Sequence, residues 1–111
     1  MSSQTAFRVN FETLSSHIHE RVRIVGTVID DSSDPVGIQT TDQQKISVYL
    51  SSDSTLSPDR FKSSKWIEVT GIVRDDKTIQ EEFTVSLPGE VDNDAWNQMA
   101  VLIDKHRDIF I

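Results

Sequence analysis

At 111 residues the chain has room for one domain and no second core of ordinary size. Its 36% apolar and 26% charged residues suit a globular chain, while 18 acidic side chains against 11 Lys and Arg leave a net charge of -7. That is the wrong sign for holding nucleic acid by phosphate neutralisation alone. The absence of cysteine removes disulfide frameworks, Cys-based zinc sites and thiol catalysis together.

No apolar run approaches the ~20 residues that span a bilayer, and Met-Ser-Ser-Gln-Thr-Ala at the start lacks the basic and apolar parts of a signal sequence. The expectation is an intracellular address with no membrane partner. Residues 1–9 read as a flexible tail, with Phe7 and Val9 as its first apolar anchors, and residues 10–111 as the domain. From Asn10, an N-cap residue type, the spacing of Phe11, Leu14 and Ile18 predicts a short helix over residues 11–19.

Five strands are expected after that helix. Arg21 to Asp30 is rich in β-branched residues, with Val22, Ile24 and Val28 on one parity and Gly26 interrupting the inward face, the mark of a bulge or bend that lets one strand serve two sheets. Asp30-Asp31-Ser32-Ser33-Asp34-Pro35 is turn chemistry, followed by a strand from Val36 to Thr40, a turn over Thr41 to Gln44, and a third strand. In that third strand Ile46, Val48 and Leu50 point inward and Tyr49 outward. Ser51 to Ser64 reads as a loop with a helical turn around Pro58 to Phe61.

Trp66 to Val73 repeats the first strand's pattern, with Ile67, Val69 and Val73 on the core parity and Gly71 at the bend. A tight turn at Asp75-Asp76-Lys77 leads to a fifth strand from Thr78 to Leu87, and all five strands are expected to pair antiparallel. From Asn93 to about Phe110 the period changes to helical, with Asp92, Asn93 and Asp94 suited to its N-terminal end. Five short strands, two glycine bends and flanking helices predict a mainly β protein, a five-stranded Greek-key OB-fold barrel with a short N-terminal helix and an amphipathic C-terminal helix. A sandwich needs about seven strands.

Three segments carry a family resemblance: Arg23-Ile24-Val25-Gly26-Thr27-Val28, Ile67-Glu68-Val69-Thr70-Gly71-Ile72-Val73, and Trp96-Asn97-Gln98-Met99-Ala100-Val101-Leu102-Ile103. In their order and spacing they resemble the smallest subunit of eukaryotic replication protein A, a heterotrimer that coats single-stranded DNA, over most of the chain. The resemblance implies a non-catalytic nuclear subunit that binds two larger OB-fold subunits through a three-helix bundle and meets single-stranded DNA mainly through the complex. It also implies roles in replication, repair and recombination. Small OB subunits of telomere-associated complexes share the design, so telomere maintenance stands beside that reading.

On a helical wheel the terminal helix carries an apolar arc of roughly 180°, against the roughly 100° that a one-sided surface helix needs. A single barrel does not cover all of it, which makes Ala95, Trp96, Met99, Ala100, Leu102, Ile103, His106, Ile109 and Phe110 the expected partner-binding set. The competing reading is a helix that only caps its own barrel. For direct nucleic-acid contact, Tyr49 offers a stacking ring and Lys45, Arg74 and Lys77 offer phosphate contacts, opposed by Asp42, Asp75, Asp76, Glu81 and Glu82 on the same hairpins.

His17 and His19, two apart on a helix, face away from each other and read as solvated residues at a helix end, so no metal site is expected. The Asp30, Asp31 and Asp34 segment lacks the glycine and terminal glutamate of a calcium loop. No phosphate-cradling glycine loop, nucleophile elbow or zincin helix is present, and neither an enzyme nor a cofactor is expected.

Overall fold

The computed structural model describes residues 6–30, 35–51, 66–87 and 89–106. In chain order they form β1 (Phe7–Val9), α1 (Phe11–Leu14) with a 3-10 turn at Ser15–His17, β2 (Arg21–Asp30) and β3 (Val36–Thr40). These are followed by β4 (Lys45–Tyr49), β5 (Trp66–Asp75), β6 (Thr78–Leu87) and α2 (Asn93–Lys105). The strands run in the order β1-β2-β3-β4-β6-β5, and a further pairing of β2 with β5 closes the ring. The five expected strands thus make the barrel. The turn around Pro58 to Phe61, the turn acids Asp31 and Asp34, and Ile109 and Phe110 lie outside the described residues.

Alternation sends Val22, Ile24, Ile38, Ile46, Val48, Ile67, Val69, Val73 and Ile79 into one core, joined by Val9 and Leu14. Gly26 is the residue at which β2 changes partner: it pairs with β5 from Arg21 to Gly26 and with β3 from Gly26 onward. A Cβ there would lie 2.3 Å from the Gln39 carbonyl oxygen and 2.6 Å from Ile38 Cγ2, so only glycine lets the two backbones approach. The register irregularity itself falls later, between Val28 and Asp30. At Gly71 a Cβ would lie 2.2 Å from the Gln80 carbonyl oxygen, beside a register shift between Thr70 and Gly71.

Several expectations are corrected. Residues 7–9 are a strand rather than the end of the tail: β1 pairs parallel with β2, placing Phe7, Arg8 and Val9 opposite Val22, Arg23 and Ile24. The β4–β6 pairing is parallel, not antiparallel, with Ser47, Val48 and Tyr49 opposite Thr78, Ile79 and Gln80. The first helix ends at Leu14 and tightens into the 3-10 turn, which swings Ile18 off the buried face to 40% exposure and into a bridge with Val73. Its N-terminus is capped as expected by Asn10, whose side chain accepts from the Thr13 amide, and the Asp42 carboxylate adds bonds from the amides of Phe11 and Glu12.

His17 is wholly buried instead of solvated. Its Nδ1–H donates to Glu20 Oε1 at 2.9 Å and its ring lies 4.9 Å from that of Phe7. Nε2 is 3.4 Å from Asp104 Oδ1, close enough to feel the charge but outside hydrogen-bond geometry. Glu81, expected among the acids of the outer hairpins, is also buried, accepting from the Ser51 amide at 3.2 Å and from the Thr84 hydroxyl. Glu81 lies two residues beyond the buried Ile79 on the same side of β6, so alternation carries its carboxylate inward before the bulge at Glu82 changes the parity.

On the outside, Arg21 Nε and Nη2 donate to Glu82 Oε1 and Oε2 at 2.6 and 2.7 Å. The hydrogen bond from Arg21 holds the Glu82 carboxyl below its ordinary value. A carboxyl depressed in the folded state adds stability above its unfolded pKa and loses it as pH falls through the lower folded value. Thermal midpoints measured from pH 6 to pH 2 should therefore show Glu82→Gln costing up to ~1 kcal/mol at neutral pH and nothing at the acid end. For the barrel corners, Gly26→Ala and Gly71→Ala should each lower the urea midpoint by an amount equivalent to ~1–3 kcal/mol. Unchanged midpoints would refute the close approach.

Candidate assembly and nucleic-acid faces

Asp92 caps α2, its carboxylate accepting from the Ala95 amide at 3.1 Å, with Asp94 in the first turn and Lys105 in the last on the favourable sides of the helix dipole. Five side chains then set the rotation of the helix on the barrel. Trp96 Nε1–H donates to the Val9 carbonyl at 2.8 Å. Asn97 Oδ1 accepts from Asn10 Nδ2 at 2.8 Å and from the Thr41 hydroxyl at 2.6 Å, while its Nδ2 donates to the Thr41 carbonyl at 3.1 Å. Ala100 and Ile103 are buried beneath the helix. Asp104 stands over His17 one turn further on.

The expected partner set is therefore divided. Trp96, Ala100 and Ile103 face the protein's own barrel. Ala95 is exposed, Met99 half-buried, Leu102 52% exposed and His106 exposed, and they follow one another along an adjoining flank at helical spacing. Beside this stripe, Asn97, Gln98, Val101, Leu102 and Lys105 line an open groove of about 420 Å³ whose walls are almost wholly apolar. Asn97, Asp104 and His17 were not legible as anchors, although Asn97 falls beside Ala100 at the edge of the inner arc of the wheel.

Lys45, Tyr49, Arg74 and Lys77 do come together. Lys45 and Tyr49 share the outward face of β4 on either side of Ser47, whose amide donates to the Lys77 carbonyl at 2.9 Å in the β5–β6 turn. Arg74 lies 4.7 Å from the centre of the Tyr49 ring and covers one of its faces. The same turn carries Asp75, whose carboxylate accepts from the Lys77 amide at 2.9 Å. That bond, with the neighbouring charges of Arg74 and Lys77 as lesser causes, holds the Asp75 carboxyl below its ordinary value, so the acid stays charged beside the cations. Among the described residues, no group of three or more His, Asp or Glu converges as a metal site.

A family model described as Replication factor A protein 3 matches residues 1–110. Among solved structures, a chain of the U. maydis replication protein A bound to single-stranded DNA aligns with a TM-score of 0.77 at 24% identity, covering 99% of this chain and 98% of that one. A chain of the S. pombe Stn1–Ten1 complex aligns at 0.66 and 14% identity over 95% and 97%. The telomere capping protein Ten1 from S. pombe aligns at 0.67 and 14% identity over 91% and 99%. At these identities the structures show the shared fold. No curated relative matches the chain.

The tether makes its own prediction. Asn97→Leu should strand Asn10 and Thr41 without their amide partner and cost ~1–3 kcal/mol in chemical denaturation, with amide exchange accelerated first in α2. An α2 equally protected in the variant would show that the helix is not held this way.

Proposed function

Because the chain belongs to the Replication factor A protein 3 family, we propose that it is the small, non-catalytic subunit of a replication protein A-like heterotrimer that binds single-stranded DNA in replication, repair and recombination in the nucleus. Its contribution is assembly: α2 docks against one helix from each of two larger OB-fold subunits. The observation that carries this reading is the division of α2. One flank is already satisfied by the barrel, and the other keeps Ala95, Met99 and the 52% exposed Leu102 in a stripe beside an apolar groove. Two further helices laid along that flank bury both.

A second reading, direct binding of single-stranded DNA by the chain itself, is favoured by the Arg74–Tyr49 stack with Lys45 and Lys77 beside it. The net charge of -7 and the ionised Asp75 oppose it. The fold shared with S. pombe Ten1 also supports a small subunit of a telomere-associated complex. That reading keeps the α2 surface and changes the partners.

Co-expression with the two larger replication protein A subunits, followed by size-exclusion chromatography, tests the assembly role. Leu102→Asp, at an exposed position, should leave the circular dichroism of the lone chain unchanged and abolish co-elution, because an unpaired carboxylate would enter an apolar bundle. Co-elution of the folded variant at the wild-type level would overturn the model. Fluorescence anisotropy of the lone chain with oligothymidylate at physiological salt should show only very weak binding. Submicromolar affinity lost in Tyr49→Ala would promote the second reading.

A further inference from the structure

Away from both faces, the backbone register lines up one row of side chains across four strands. Arg8 of β1 stands opposite Arg23 of β2, Arg23 opposite Thr70 of β5, and Thr70 opposite Phe83 of β6. Their chain neighbours Val9, Val22, Ile24 and Val69 are buried in the core, so alternation puts the row on the outer side of the sheet. Two guanidiniums directly opposite each other destabilise a sheet. Neither makes an ion pair among the described residues, in contrast to Arg21 on the same face, which Glu82 satisfies.

Two polar atoms in the row are buried without a hydrogen-bond partner: Arg23 Nε, and Oγ1 of Thr70, a residue only 4% exposed. Unpaired buried polar groups are costly and uncommon. Beside them the surface turns apolar, with Phe83 53% and Val85 46% exposed on β6. Two facing cations with no ion pair among the described residues, next to exposed apolar side chains, call for a ligand with carboxylates at one end and apolar groups at the other.

We propose that this outer face of β1, β2, β5 and β6 docks an acidic, apolar peptide segment of a protein partner in extended conformation. Carboxylates of the segment pair with Arg8 and Arg23, and its apolar side chains pack on Phe83 and Val85. Those two stand two residues apart on one strand, about 7 Å, which is the repeat of same-side residues in an extended peptide. A peptide brings one or two carboxylates to the arginines. A nucleic-acid strand brings a continuous polyanion against Glu68, Glu82 and a net charge of -7. The row shares no residue with the α2 stripe or the Tyr49 cluster, so it adds a site to the proposed function without depending on it.

The probe is a fluorescein-labelled synthetic peptide alternating Asp and Glu with Leu and Phe. Its controls are the Asn and Gln counterpart and labelled oligothymidylate. Titrated by anisotropy against the purified chain, the acidic peptide should bind saturably and lose affinity with rising salt. It should weaken at least about tenfold in the double variant R8Q/R23Q, and again in Phe83→Ser. Nitrogen-15 NMR shifts on binding should map to β1, β2 and β6. R8Q/R23Q should keep or raise the thermal midpoint, since it removes facing like charges. If it fails to fold, Phe83→Ser and the amide peptide carry the test. No binding of the acidic peptide at millimolar concentration, equal binding of the amide peptide, or shifts confined to α2 would overturn the proposal. Oligothymidylate binding that R8Q/R23Q abolishes, with the peptide unaffected, would reassign the row to nucleic acid and overturn it as well.

Discussion

The barrel depends on one close approach. At Gly26 the backbone of β2 leaves β5 and takes up β3, and the carbonyl of Gln39 occupies the space a side chain would fill. A strand can be shared by two sheets only if it bends sharply there, and the bend is what closes β2, β3, β4, β6 and β5 into a ring. Closure then gathers the alternating aliphatics of every strand into a single core. Gly71 makes the matching approach to Gln80 on the other side of the ring.

Closure also creates the seat for α2. Val9, Asn10 and Thr41 belong to distant stretches of chain, yet the folded barrel presents a carbonyl, a side-chain amide and a hydroxyl within reach of two consecutive helix residues, Trp96 and Asn97. Such directional bonds fix the rotation of a helix more tightly than apolar packing does, because each tolerates little angular error. The rotation decides that Ala100 and Ile103 are inside and Leu102 outside. The uncovered apolar stripe of α2 is therefore a consequence of polar anchoring on its other flank.

Charge divides the remaining surface. Among the described residues, cations gather around Tyr49 and along the Arg8–Arg23 row, in two different settings. Near Tyr49 the cations are interleaved with Asp75, which a backbone hydrogen bond keeps ionised. In the row, the two arginines make no ion pair among the described residues and stand beside exposed aromatic and aliphatic groups. The first arrangement weakens attraction for a polyanion, and the second suits a ligand carrying only a few carboxylates.

Much of this was legible in the residues. Strand parity, the two glycine corners, the caps at Asn10 and Asp92 and the excess width of the terminal helix's apolar arc all arise from local chemistry with periods of two or 3.6 residues. β1 escaped because three residues cannot display a period. The parallel β4–β6 pairing, the burial of His17 and Glu81, and the 3-10 ending of the first helix rest on partners elsewhere in the chain. The sequence by itself determined that α2 has more apolar surface than one barrel can cover, since the wheel gives the angles between its residues. Only the tertiary structure decided which part of that arc is free, because the phase of the wheel is set by Asn10, Thr41 and Val9, 56 to 87 residues away from the helix residues they hold.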